Sequence, residues 1–215
     1  MSGMQENIRM LMNNQLKPDD CYSFKCNKCG KCCTNHTGIT LTPFDLWNIA
    51  KEMKLSVENV IGSFCIRYIG ESSKIPIVAL AAGRCPFVLA DGCFLGDAKP
   101  VICKMYPLGA GFDGTKTTYF YVDTNCGEKD SSQTVEGWLA KNGLTEEVDE
   151  FRQMWYGLIS NITTFIHKRN FSVRELDAFQ TSMFVILYLC YDIDKPFYGQ
   201  FAERAECVER IIQRI

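Results

Sequence analysis

The chain has 215 residues, 12 of them cysteines, and a formal net charge of -2 at pH 7. A chain of this length can bury an apolar core without help from a metal. The weak and mixed charge lacks the basic footprint that nucleic-acid binding requires, so we expect no nucleic-acid partner.

Whether the cysteines form disulfides or bind metal depends on the compartment in which the protein works. The first twenty residues lack the continuous apolar core of a secretory signal, and no apolar stretch reaches the roughly 18 residues that span a bilayer. These features predict a cytoplasmic protein with no membrane partner. In the reducing cytosol, grouped cysteines serve more often as metal ligands than as disulfides.

Four of the cysteines fall within eight residues, in the segment FKCNKCGKCC. Three of them have C-x-x-C-x-x-C spacing, which lets one short loop wrap several sulfurs around a soft metal centre. Four more follow in the segments RCPF, DGCFL, PVICKMYP and TNCGE. The candidate metal ligands are Cys26, Cys29, Cys32, Cys33, Cys85, Cys93, Cys103 and Cys126.

The adjacent pair Cys32 and Cys33 bears on the number of metal centres. Neighbouring residues project their side chains in different directions, so they are awkward ligands for one mononuclear ion. The pair therefore indicates two centres, or one cluster with a spare thiol.

Short helices are predicted directly after the first cysteine run. Residues 39–41 are β-prone, and a helix then begins at Thr42 and Pro43, because threonine can cap a helix and proline suits its first position. A second short helix begins at Ser56.

The middle of the chain predicts strands and turns. Residues 75–81 and 119–122 are β-prone, and Asp91-Gly92 and Asp113-Gly114 are turn dipeptides. This pattern indicates small, irregular hairpins that carry cysteines at their turns.

The final third predicts helices. Thr145 begins a long helix with an apolar stripe, Ser172 opens a capping box for a helix that ends near Tyr191, and a last helix runs through Phe201 to Ile215. The predicted fold class is α+β, with a small irregular cysteine-rich metal-binding core followed by a helical C-terminal region. The predicted division is an N-terminal arm at 1–20, a cysteine-cluster metal-binding domain at 21–130 and a helical region at 131–215.

The order of these motifs resembles one known family. The sequence has C-x-x-C-G-x-C-C, then GITLTPFDL, CPF, a cysteine after a D-G turn, KPVICKMYP and a last cysteine. This order resembles the YkgJ-type cysteine-cluster family, which is described as zinc- or iron-chelating and includes the flagellin lysine N-methylases. Two residues depart from the expected pattern, Lys99 and Lys104, where family members more often carry arginine.

The type of metal stays open between two alternatives. Closely spaced thiols with a remote fourth resemble the loops of iron-sulfur proteins, which favours a 4Fe-4S cluster, whereas zinc modules usually present separated C-x-x-C pairs. An all-thiolate set suits both metals. The expected cofactor is an iron-sulfur cluster, or else zinc.

Three functions are consistent with these features. The first is metal binding by iron-sulfur clusters or zinc, in redox chemistry, metal handling or protein modification. The second, implied by the resemblance, is a protein-lysine N-methyltransferase of the flagellin methylase type, which uses S-adenosylmethionine and a protein or peptide substrate. The third is a structural zinc module for protein interaction.

Several other residues are given no role in the site. His36 is expected to form a hydrogen bond rather than to ligate a metal. Cys65 and Cys190 are interpreted as core residues, and the glycine motif at 109–114 as part of a hairpin rather than as a nucleotide loop.

Overall fold

The structure is a computed structural model and describes residues 15–34, 36–112, 116–122 and 126–214. Its helices are α1 (Lys31–Thr34), α2 (Pro43–Met53), α3 (Val57–Phe64), α4 (Val101–Met105), α5 (Val135–Lys141), α6 (Glu146–Lys168), α7 (Val173–Tyr188) and α8 (Phe197–Arg214), with a short 3-10 helix at Gly96–Ala98. Its strands are β1 (Gln15–Leu16), β2 (Cys21–Lys25), β3 (Ile39–Leu41), β4 (Cys65–Ile69), β5 (Pro76–Leu80), β6 (Val88–Leu89), β7 (Gly92–Cys93), β8 (Leu108–Phe112), β9 (Thr117–Tyr121) and β10 (Glu128–Thr134).

The strands form small antiparallel sheets. Strand β9 lies between β1 and β8, strand β5 lies between β3 and β4, and β6 pairs with β7. Strand β2 pairs with β10, although about a hundred residues separate them along the chain. This mixture of short sheets and a helical C-terminal region confirms the predicted α+β class.

Local capping chemistry explains where the main helices begin. Thr42 and Asp45 form a reciprocal capping box at the start of α2, and Ser172 and Glu175 form another at α7. The Thr145 hydroxyl accepts the N–H of Val148 at the start of α6. These helix starts confirm the sequence predictions.

The remaining element predictions hold with shifted ends. The predicted strand at 75–81 is β5, and Asp91-Gly92 lies at the turn of the β6–β7 hairpin. The predicted strand at 119–122 is β9, which begins two residues earlier, and α7 ends at Tyr188, before the expected end near Tyr191. The Asp113-Gly114 turn lies outside the described residues.

The buried side chains form two clusters. The larger one joins α2, α3 and β5 to the C-terminal helices, and an aromatic group at its centre includes Phe151, Phe197 and Phe201. The smaller one contains Tyr22, Phe24 and Trp138 and lies between β2, α4 and α5. The Phe44 ring contacts both clusters, so α2 connects them.

The division at residue 130 stays a prediction, although the larger cluster contains residues from both sides of it. Among the described residues, none of the helices is long and apolar enough to cross a membrane.

Candidate metal centre

The first cysteine run is an exposed loop that ends in one helical turn. Lys28 and Gly30 both have positive φ angles, 54° and 68°, and fold the loop back on itself. The Cys33 N–H then bonds to the Gly30 carbonyl at 2.9 Å, and Cys32 and Cys33 lie side by side on α1. Their sulfurs are 3.7 Å apart, and one thiol can donate to the other.

The β6–β7 hairpin packs against this loop and carries Cys85 and Cys93. The Cys85 N–H bonds to the Cys33 carbonyl at 2.6 Å, which fixes the hairpin beside α1. Cys93 is paired with Val88 across the hairpin, and the Val88 side chain lies next to Gly30. Backbone contacts therefore bring Cys33, Cys85 and Cys93 into one region.

Cys103 lies on α4, and a buried carboxylate positions the start of that helix. One Asp45 oxygen accepts the Val101 N–H at 2.7 Å, and the other accepts the N–H and the hydroxyl of Thr42 at 2.8 and 2.7 Å. Asp45 is only 3% exposed, so these hydrogen bonds compensate for the burial of its charge. Nothing in the sequence indicated the bond between Asp45 and Val101.

Cys126 lies at the end of the ladder where strand β2 ends and strand β10 begins. Glu128 is paired with Lys25 in the ladder, and the two side chains form a salt bridge of 2.7 Å. Because Cys26 directly follows Lys25 and Cys126 precedes Glu128 by two residues, both cysteines occupy the same end of the ladder. The Cys126 sulfur is 3.5 Å from the Tyr106 hydroxyl.

The gathered thiols repel one another once they ionise. Burial raises the pKa of Cys103, and negative charge on Asp45, followed by charge on Cys33, Cys85 and Cys93, raises it further. The hydrogen bond to Cys33 raises the pKa of Cys32, and charge on Cys126 and Cys26 adds to this effect. The same hydrogen bond lowers the pKa of Cys33, so one thiol of the pair ionises readily while its neighbour keeps its proton.

Lysine side chains supply positive charge near these thiols. The charge of Lys99 adds to the hydrogen bond that lowers the pKa of Cys33. At Cys93, burial raises the pKa, and the charge of Lys99 opposes part of that rise. Burial lowers the pKa of Lys104. Lys99 is thus a cation whose charge acts on two of the candidate ligands.

The cysteine sulfurs suit a soft metal, but their side chains do not surround a single point where an ion could bind. Within the part of the chain that the structure describes, no three Cys, His, Asp or Glu side chains converge closely enough to hold a metal. Zinc bound to sulfur at about 2.3 Å in a tetrahedron would separate two sulfurs by about 3.8 Å, close to the spacing of the Cys32–Cys33 pair. Thiolates suit both zinc and iron.

The other four cysteines and His36 are not among the candidate ligands. No disulfide joins any of the 12 cysteines. Cys65 is half-buried, but Cys190 is exposed, which corrects its assignment to the core: the chain leaves α7 at Tyr188 and turns at Cys190 with a φ of 61°. The Nδ1 atom of His36 accepts the Gly38 N–H at 3.1 Å, as expected for a hydrogen-bonding loop histidine.

Comparison with known proteins gives one match. No curated protein and no solved structure matches this chain. Residues 25–127, just under half of the chain, match the model of the CxxCxxCC family, described as a "putative zinc- or iron-chelating domain". The match spans all eight candidate ligands, from Cys26 to Cys126. Residues 25–127 are therefore similar to the CxxCxxCC family, whose domain is described as zinc- or iron-chelating.

Proposed function

We propose that this protein binds zinc or iron through a set of cysteine thiolates, with the eight cysteines of the family-matched segment as ligands. The observation that carries the proposal is the family match over residues 25–127, which spans all eight cysteines. Backbone geometry supports it, because the Cys85 N–H bonds to the Cys33 carbonyl and the hairpin brings Cys93 into the same region. Thiolates in one region repel one another, and a bound cation would offset that repulsion.

The metal is an iron-sulfur cluster or zinc. The C-x-x-C-x-x-C spacing supports a cluster of the 4Fe-4S type, whereas the 3.7 Å contact between Cys32 and Cys33 is compatible with tetrahedral zinc. The two alternatives differ in colour, sulfide content and redox activity. A redox-inactive zinc site would support a structural module that organises a protein-binding surface.

The deciding experiment is metal and acid-labile sulfide analysis, with an optical spectrum, on protein purified without oxygen. Iron with sulfide and broad visible absorption would establish a cluster protein. Colourless protein with one or two zinc ions would establish a zinc protein. Protein that contains neither metal, and takes up neither from solution under reducing conditions, would contradict the proposal.

Methyl transfer to a protein lysine is supported by the family resemblance alone. Gly109 and Gly111 lie within strand β8, which pairs with β9, so these glycines do not open a helix as a nucleotide loop requires. Direct binding of S-adenosylmethionine to metal-loaded protein is the test. We take metal binding as the function and methyl transfer as a separate prediction.

A further inference from the structure

The thiols of Cys32 and Cys33 lie close enough to react with each other. Their sulfurs are 3.7 Å apart. Cys32 is exposed and Cys33 is half-buried, so a small oxidant in solution can reach the pair. A disulfide bond holds its sulfurs about 2.05 Å apart, so the two sulfurs would have to approach each other by about 1.7 Å. The pair is therefore reduced in this structure, and a short movement would close it.

The backbone that carries the pair can adjust to this movement. Helix α1 is one turn of four residues, and none of them is buried. A single turn at the surface gains little from helix cooperativity, so its distortion costs little free energy. The Cys33 carbonyl accepts the Cys85 N–H at 2.6 Å, which keeps this turn attached to the hairpin. The turn contributes no side chain to either apolar cluster, so its rearrangement would leave both clusters intact.

A disulfide between neighbouring residues is strained, and the strain makes it easy to reduce. Consecutive Cα atoms are about 3.8 Å apart, whereas about 4.4–6.8 Å separates the Cα atoms of most disulfide-bonded pairs. Strained or exposed disulfides have higher reduction potentials than structural ones. A disulfide between Cys32 and Cys33 would therefore be reversible.

We propose that Cys32 and Cys33 form a redox-modification site, which a peroxide converts to a disulfide between the two residues. With hydrogen peroxide, one sulfur attacks the O–O bond and becomes a sulfenic acid, while one oxygen leaves as water. The second sulfur then attacks the sulfenic sulfur, and the remaining oxygen leaves as a second water. The two thiols lose two protons and two electrons in total, and these reduce the peroxide to two waters.

This modification would regulate the metal binding proposed above, and this last step rests on that proposal. A metal binds the thiolate form of cysteine, which the disulfide lacks. Oxidation would thus remove two of the eight candidate ligands, and a thiol reductant would return them. Bound metal would in turn hold both sulfurs as thiolates and slow their oxidation.

The first test is peptide mapping of the full-length, reduced, metal-free protein after treatment with hydrogen peroxide. Free thiols are then alkylated and the protein is cut with trypsin. Trypsin cleaves after Lys31 and Lys51, which leaves 32–51 as one peptide whose only cysteines are the pair. We expect this peptide to escape alkylation and to be lighter than the reduced peptide by two hydrogen atoms, and dithiothreitol should reverse both changes. A peptide that is alkylated at both cysteines, joined to another peptide or irreversibly oxidised at one cysteine would overturn the proposal.

Zinc uptake tests the regulatory step separately. Peroxide-treated protein should bind less zinc per chain than reduced protein, and dithiothreitol should restore the lost binding. Cys32→Ser is the control variant because it cannot form this disulfide, so its zinc uptake should be equal before and after the same treatment. An equal loss in Cys32→Ser, or no loss in the unaltered protein although the disulfide forms, would contradict the regulatory step. A reduced protein that binds neither zinc nor iron would instead contradict the proposed function and leave the disulfide result standing.

Discussion

At the scale of single residues, Cys29 offers the mildest test of the ligand set. It is exposed on the loop, so its replacement disturbs no packed side chain. We expect Cys29→Ser to lower the metal content per chain, because serine oxygen is a poor ligand for a soft metal. Metal analysis of purified Cys29→Ser and Cys65→Ser checks this. Cys65→Ser is the control and should keep the full metal content per chain. Unchanged stoichiometry in Cys29→Ser would remove Cys29 from the ligand set.

Asp45 acts on the site through the backbone of α4. Its replacement by alanine leaves the N–H groups of Val101 and Thr42 without their acceptor in a buried position. We expect Asp45→Ala to lower the free energy of unfolding by about 2–4 kcal/mol and to weaken metal binding through misplacement of Cys103. Urea denaturation and metal titration measure the two effects.

Glu175→Ala is the matched control for Asp45→Ala. Glu175 completes the other capping box, where its carboxylate accepts the Ser172 N–H at 2.8 Å, but that pair is exposed. Its loss should cost about 1 kcal/mol and leave metal affinity unchanged. Equal metal affinities in the two variants would show that Asp45 does not position the site.

At the scale of elements, the β2–β10 ladder depends on Gly127. This residue has a φ of 79°, and a Cβ atom there would overlap the Phe24 ring. We expect Gly127→Ala to destabilise the protein by about 1–3 kcal/mol and to shift the adjacent Cys126. In Gly157→Ala, by contrast, the new methyl group meets open space in helix α6, so stability should be unchanged or slightly increased. Thermal unfolding of both variants compares them, and equal midpoints would argue against this role for Gly127.

The β2–β10 ladder is a part of the fold that the sequence did not predict. Helices α2 and α7 were predictable because Thr42 and Ser172 cap them locally. Strand β10 was missed because the segment EKDSSQT is polar and lacks apolar alternation, and its partner lies about a hundred residues earlier. The candidate metal ligands could therefore be predicted from the spacing of the cysteines. Which thiols lie together depends on nonlocal pairing, such as that of Lys25 with Glu128, and the sequence does not reveal it.

At the scale of the whole molecule, the two parts of the chain differ in what stabilises them. The C-terminal helices share the larger apolar cluster with α2 and β5, so their packing requires no metal. The loop at 26–34 contains no buried residue. A metal bound to its thiolates would supply the missing stabilisation.

Removal of metal should therefore loosen one part of the molecule selectively. We expect a chelator under reducing conditions to increase amide hydrogen exchange at residues 26–34 and 85–94, while the centres of α6 and α8 near Phe151 and Phe201 stay protected. Hydrogen-exchange mass spectrometry of loaded and metal-free protein measures the change. Zinc or iron should restore protection, whereas Mg²⁺ should not, because it prefers oxygen ligands. A uniform rise along the chain would mean that the metal stabilises the entire fold, and an unchanged loop would mean that the metal does not organise it.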